Sequence, residues 1–149
     1  MARKHAILSA SSAARWIACP PSARLNAEQS DTPSEYAAQG TDAHTLCEYK
    51  LRKALGERVR DPTKKLSSYD SEMEECAEAY CQFVMELIGQ FCVESKDTMV
   101  SVEQRVDFSD FVPDGFGTAD TLIISGMTVC IVDYKHGKGI EVSADHNPQ

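Results

Sequence analysis

Gly117-Thr118-Ala119-Asp120-Thr121-Leu122-Ile123-Ile124-Ser125-Gly126-Met127-Thr128-Val129-Cys130-Ile131-Val132-Asp133-Tyr134-Lys135 reads as one β-hairpin. Two apolar runs flank Ser125-Gly126, a tight-turn signal. Folding at that turn predicts strands over 119–124 and 127–134 and brings Asp120 beside Asp133 and Lys135. Between their charged ends both strands are almost wholly apolar, which is the composition of strands covered on both faces. Asp133 and Lys135 share a face because side chains alternate. Two carboxylates and an ammonium from adjacent strands make a small divalent-cation site, the minimal apparatus for metal-assisted phosphodiester hydrolysis. The bland alternatives are an exposed Asp120 capping the turn after Gly117 and a plain Asp133–Lys135 ion pair. An ion pair alone leaves Asp120 unexplained, and a carboxylate bordering an apolar strand is costly without a partner.

Gly117-Thr118-Ala119-Asp120, the apolar strands, and Asp133-Tyr134-Lys135-His136-Gly137-Lys138-Gly139 together resemble the PD-(D/E)XK nuclease superfamily. More narrowly they are similar to its RecB-like branch, which includes the RecB and AddAB nuclease domains, CRISPR-adaptation nucleases and phage-borne proteins. The resemblance implies that Asp120 and Asp133 bind Mg²⁺ or Mn²⁺, with the Tyr134 carbonyl as a further ligand and Lys135 orienting or activating the attacking water. It implies a ligand His in a Gly-x-x-x-His context, matched by Gly40 to His44. Glu103 stands where the family often has an acidic residue, as a further ligand or a structural partner. Glu48, one turn beyond His44, is placed to hydrogen-bond it. Gln149 matches the Gln of a Gln-x-x-x-Tyr motif whose Tyr is absent from the sequence. His136 and Lys138 read equally as phosphate contacts or as a solvated turn.

With 149 residues and 16.4 kDa, the chain has room for one domain, a helical part over 1–95 and a sheet carrying the metal site over 96–149. No run of about 18 apolar residues predicts a membrane span, and the N-terminus is a poor secretory signal. A cytoplasmic location is the expectation. Six cysteines, at 19, 47, 76, 81, 92 and 130, form no C-x-x-C pair and read as reduced thiols, several of them buried. Cys19 stands where some RecB-like nucleases hold the first ligand of an iron–sulfur cluster. The later ligands have no counterpart, so Cys19 reads as structural. The net charge of −8 argues against broad coating of duplex DNA. Positive charge groups at Arg3, Lys4, Arg15 and Arg24 and again at Lys135 and Lys138, with no basic patch interleaved with aromatics.

Along the chain, Ser9 to Ser12 predict the cap of a short helix ended by Pro20-Pro21, then a polar linker to Asp31. Thr32-Pro33-Ser34-Glu35 predicts a helix start with Thr32 as N-cap, running to Leu55 with Gly56 as its stop. Gly40 inside it marks a break or a close approach. After a polar loop, Ser71 and Glu74 form a capping box. Met73, Cys76, Tyr80, Phe83, Val84, Leu87, Ile88 and Phe91 then recur at helical spacing, as a core-facing helix requires. A strand is expected from Met99 to Phe108, a turn at Pro113-Asp114-Gly115, and a short strand at Ile140-Glu141-Val142. Asp145 to Pro148 resemble a helix start.

The expected fold is α+β with an α/β core, restriction-endonuclease-like. N-terminal helices pack on a small mixed sheet, and the core is incomplete at the C-terminus, as in a truncated nuclease domain. The implied activity is a Mg²⁺- or Mn²⁺-dependent deoxyribonuclease, an exonuclease of recombination, repair or phage DNA processing. Implied partners are DNA, a helicase or annealing protein, or the remainder of its own chain, with no membrane. The competing reading is a non-catalytic, nuclease-like interaction or regulatory module.

Overall fold

The computed structural model describes residues 6–28 and 34–137. These form four helices and a three-stranded antiparallel sheet, an α+β arrangement. They divide into two compact units: residues 6–28 with 105–118, and residues 34–104 with 119–137.

In the first unit a 3-10 turn at Ala10–Ser12 leads into α1 (Ala13–Ala18), and the Trp16 indole N–H donates to the Ser9 carbonyl at 2.9 Å. The linker expected after Pro20-Pro21 is instead a second helix, α2 (Pro21–Ala27). Pro21 is its first residue, where a missing N–H costs nothing and the ring's φ is already helical.

The second unit is built on two long helices. α3 (Glu35–Ala54) starts at Ser34, whose hydroxyl accepts from the Ala37 N–H at 3.1 Å. The cap is therefore Ser34 and not Thr32, which with Pro33 lies outside the described residues. At the other end Gly56 takes φ +86. Its N–H reaches the Lys53 carbonyl and the Glu57 N–H reaches that of Arg52, the paired bonds of a Schellman stop. Gly40 neither breaks the helix nor meets a close neighbour; a methyl built there faces open space.

α4 (Ser71–Glu94) is capped by Asp70, not Ser71. The Asp70 carboxylate accepts from the Met73 N–H at 2.7 Å and adds a negative charge at the positive end of the helix dipole. The stripe Met73, Ala77, Tyr80, Val84 and Ile88 is buried, and it packs with Ala43, Leu46, Cys47 and Leu51 of α3. Cys76 and Phe83 fall off this stripe and are exposed. No described helix is long and apolar enough to cross a membrane.

The sheet runs β1 (Met99–Asp107), β2 (Phe116–Ser125), β3 (Thr128–Val132), with β2 in the centre. The expected mixed sheet is antiparallel: a parallel pair needs a crossover of about a dozen residues or more, and β1 and β2 are joined by residues 108–115 alone. β2 and β3 pair from Thr121↔Val132 to Ser125↔Thr128. Gly126, at φ +58, and Met127 close the turn in the manner of a type II′ hairpin.

β2 alternates strictly, with Ala119, Thr121, Ile123 and Ser125 buried. Thr121 shares a buried 2.7 Å hydrogen bond with the Tyr80 hydroxyl, which ties β2 to α4. The expectation of strands covered on both faces fails for β3, where Val129 and Ile131 are each 60% exposed. The helices cover one face only, so the apolar residues on the other face are uncovered among the described residues. Lys138, Gly139, the expected strand at 140–142, the helix start at 145–148 and Gln149 lie outside the described residues, as does the end of the chain at which an incomplete core is expected.

Candidate metal centre

Asp120 stands at the end of the β2–β3 ladder. The paired register stops at Thr121↔Val132, one residue short of Asp120 on β2 and of Asp133 on the partner strand. The Tyr134 backbone N–H donates to Asp120 Oδ2 at 2.6 Å and fixes the carboxylate. His44 Nδ1, from the middle of α3, approaches the same oxygen at 3.3 Å. Among the described residues Oδ1 accepts no hydrogen bond, which leaves it available to a ligand.

The third member is Glu103. Ligand atoms of His44, Glu103 and Asp120 all lie within 4.8 Å of one another. Glu103 takes φ +51 in the middle of β1. A non-glycine residue in that region costs on the order of 1–3 kcal/mol, and such strain gathers at functional sites. Its neighbour is clamped from α3: the Arg52 guanidinium donates to the Val102 carbonyl at 2.9 Å. The same guanidinium pairs with Glu48 at 2.8 Å. Glu48 is thus engaged with Arg52, and the hydrogen bond expected between Glu48 and His44 is not formed.

Asp133 and Lys135 are not members of this group. They form an ion pair with each other, both close to half exposed, and Asp133 is outside the triad. Of the two carboxylates expected as ligands, Asp120 lies in this group of three and Asp133 does not; Glu103, expected as a further ligand or a structural partner, does. The ring of Tyr134 packs inward, edge-on to His44 at 5.7 Å and to Tyr80 at 5.2 Å. It stacks on His136 at 5.9 Å, and the Tyr134 hydroxyl shares a 3.0 Å hydrogen bond with His136 Nδ1. His136 is thus held by tyrosine in the described structure.

The electrostatics follow from this crowding. The hydrogen bond to Asp120 raises the His44 pKa above its usual 6.5 against the opposing effect of burial, and the charges of Asp120, Glu103 and Asp133 add to the rise. Burial, followed by the charges of Asp120 and Glu48, pushes the Glu103 carboxyl above its usual 4.5. The nearby Asp120 charge disfavours the charged form of Glu103 until a cation joins them. Burial and the Asp120 charge push the Cys47 thiol, buried nearby, up to about 12, so it is neutral and inert. All six cysteines are free thiols; Cys47 and Cys81 are buried as expected, and Cys19, expected to be structural, is exposed.

The model of one protein family, described as a protein of unknown function (DUF2800), matches residues 5–149. No solved structure matches the chain.

Proposed function

The chain belongs to the DUF2800 family, and from its own residues we propose a divalent-metal-dependent nuclease acting on DNA, with His44, Glu103 and Asp120 as protein ligands. The observation that carries the proposal is the convergence of these three groups from α3, β1 and β2 within 4.8 Å, one of them held by a left-handed bend in a strand. Two hard carboxylate oxygens with one imidazole nitrogen suit Mn²⁺ or Mg²⁺. The likeness of the Asp120 and Asp133-Tyr134-Lys135 pattern to the RecB-like nucleases, and with it a restriction-endonuclease-like core, agrees with this donor set.

A bound cation supplies Lewis-acid polarisation of a phosphate and lowers the pKa of its water. The chain's own residues do the rest. The Tyr134 N–H holds Asp120 Oδ2 and leaves Oδ1 open. Arg52 fixes the strand beside Glu103. Lys135, paired with Asp133, is the ammonium that would orient water and stabilise charge developing on phosphate oxygens. The test is Mn²⁺-dependent cleavage of labelled linear DNA, with calorimetry of Mn²⁺ binding alongside. Cleavage that survives Asp120→Ala at the wild-type rate sinks the assignment.

A further inference from the structure

Seven of the chain's fifteen Lys and Arg residues fall between positions 50 and 65, at Lys50, Arg52, Lys53, Arg58, Arg60, Lys64 and Lys65. The structure separates them into two groups. Lys50 is spent inside the fold, bridging Glu74 and Glu78 of α4 at 2.7 Å each. Arg52 pairs with Glu48 and Glu57. Lys53, Arg58, Arg60, Lys64 and Lys65 are all exposed, and none has an ion pair within 4 Å among the described residues.

The acidic groups of this segment are occupied locally. Glu57 is bound by Arg52, and Asp61 accepts from the Thr63 N–H at 2.9 Å and its hydroxyl at 2.7 Å. Residues 53–65 therefore present five exposed cations without an ion pair among the described residues, Lys53 donating to the Tyr49 hydroxyl at 3.4 Å, against two engaged carboxylates, on a chain whose net charge is −8.

The same segment walls a cleft of about 580 Å³ between α3, α4 and their connection. Tyr49, Lys53, Thr63 and Tyr69 line it together with Asp61, and Lys50 offsets part of the charge of Glu74 and Glu78 in its wall. The Lys53 ammonium lies 5.5 Å from the centre of the Tyr49 ring, and Tyr69 is 43% exposed. Cations beside accessible aromatic rings are the pattern that tracks a nucleic-acid strand, phosphates on the charges and bases or sugars on the rings.

We propose that Lys53, Arg58, Arg60, Lys64 and Lys65, with the Tyr49–Tyr69 cleft, form a binding surface for the phosphate backbone of a nucleic-acid strand, separate from the metal centre. His44 and Lys53 are nine residues apart on α3, about 14 Å along the helix at 1.5 Å per residue and on opposite faces at 100° per residue. The surface thus anchors a strand at a distance from the reacting phosphate. The choice of nucleic acid over another polyanion rests on the nuclease reading.

The test uses the full chain and a fluorescein-labelled single-stranded oligonucleotide in EDTA, where anisotropy reads binding without cleavage. The variant changes all five cations to Gln, and Lys96→Gln, a lysine outside the patch, is the control. The variant is expected to bind at least tenfold more weakly. The slope of log affinity against log salt should flatten by roughly 0.7 for each phosphate that the variant no longer neutralises. Its Mn²⁺ binding by calorimetry should be unchanged, which also reports an intact fold and keeps this test apart from that of the metal centre. Equal affinity and slope in wild type and variant overturn the surface, whatever the metal does. Equally tight binding of polyglutamate to the wild type overturns the choice of nucleic acid.

Discussion

The Tyr134 backbone N–H donates to Asp120 Oδ2 at 2.6 Å, one residue beyond the last paired position of the β2–β3 ladder. A main-chain group thereby aims a side chain, and its aim is as rigid as the hairpin. His44 shares the same oxygen. Asp120→Asn keeps the size and one acceptor of the side chain but removes its charge. Mn²⁺ affinity is expected to fall by about 100-fold or more, beyond the 10–100-fold typical of losing a supporting group around a metal. Stability at neutral pH should hold or rise, since the carboxylate that repels Glu103 is gone. Calorimetry and urea melts read the two effects separately. Unchanged Mn²⁺ affinity removes Asp120 from the ligand set.

Protons compete for the same centre. His44 and Glu103 both have folded-state pKa values raised above their ordinary ones. The stabilisation due to each is therefore complete below the unfolded value, near 6.5 for His44 and 4.5 for Glu103. It is lost as pH rises through the higher folded value. Without metal, stability should fall with rising pH, first across the Glu103 window and then across the His44 window. Mn²⁺ displaces both protons, so its affinity should climb across the same windows. Urea midpoints against pH, with and without Mn²⁺, should diverge upward from about pH 5. Calorimetry in buffers of different ionisation enthalpy counts the protons released. Mn²⁺ affinity flat with pH contradicts the assignment of His44 as a ligand.

Lys135 and Asp133 pair at the exposed end of β3. An ion pair this open contributes at most about 1 kcal/mol. Lys135→Ala should therefore leave the urea midpoint nearly unmoved and Mn²⁺ binding intact, while abolishing cleavage of labelled DNA. A loss of cleavage that simply tracks a loss of stability would assign Lys135 to the fold and not to the chemistry.

The hairpin was legible because its turn and its apolar runs are local signals. Asp120, Asp133 and Lys135 lie at its ends for the same reason. Glu103 was harder to place, because its contribution depends on a φ of +51 that no side-chain pattern announces. Asp133 follows from spacing along the hairpin, whereas the proximity of Glu103 to Asp120 and His44 depends on the β1 bend. α2 was hidden by Pro20-Pro21, which reads as a breaker although Pro21 suits a first helical turn. Glu48 was assigned to His44 by helical spacing, but Arg52 is equally one turn away and carries the opposite charge. In the 50–65 region the sequence shows many cations without showing which are paired. The structure shows Lys50 bridging Glu74 and Glu78 and Arg52 pairing with Glu48 and Glu57, and the other five without an ion pair among the described residues.

The Tyr80–Thr121 hydrogen bond is buried between α4 and the central strand. Removing one partner strands a polar atom in the core. Thr121→Val or Tyr80→Phe alone should each cost about 1–3 kcal/mol. The double variant should cost less than the two singles added together, by roughly 1 kcal/mol of coupling. A double-mutant cycle by urea denaturation measures that difference. Strict additivity would mean that the two hydroxyls find other partners.

Gly40 lies inside α3 one turn before His44, in helical backbone, with nothing within 4 Å of a methyl placed on it. A glycine in a helix interior costs about 0.5–1 kcal/mol relative to alanine, because it gives up more backbone freedom on folding. Gly40→Ala should therefore raise the urea midpoint by that amount and leave Mn²⁺ binding at His44 unchanged. Cleavage separates two reasons for the glycine. If the rate is unchanged, the position is unconstrained by the site. If the rate drops while stability and Mn²⁺ affinity hold, the bare backbone at Gly40 is where substrate approaches the centre, and the open space above it is part of the path to His44.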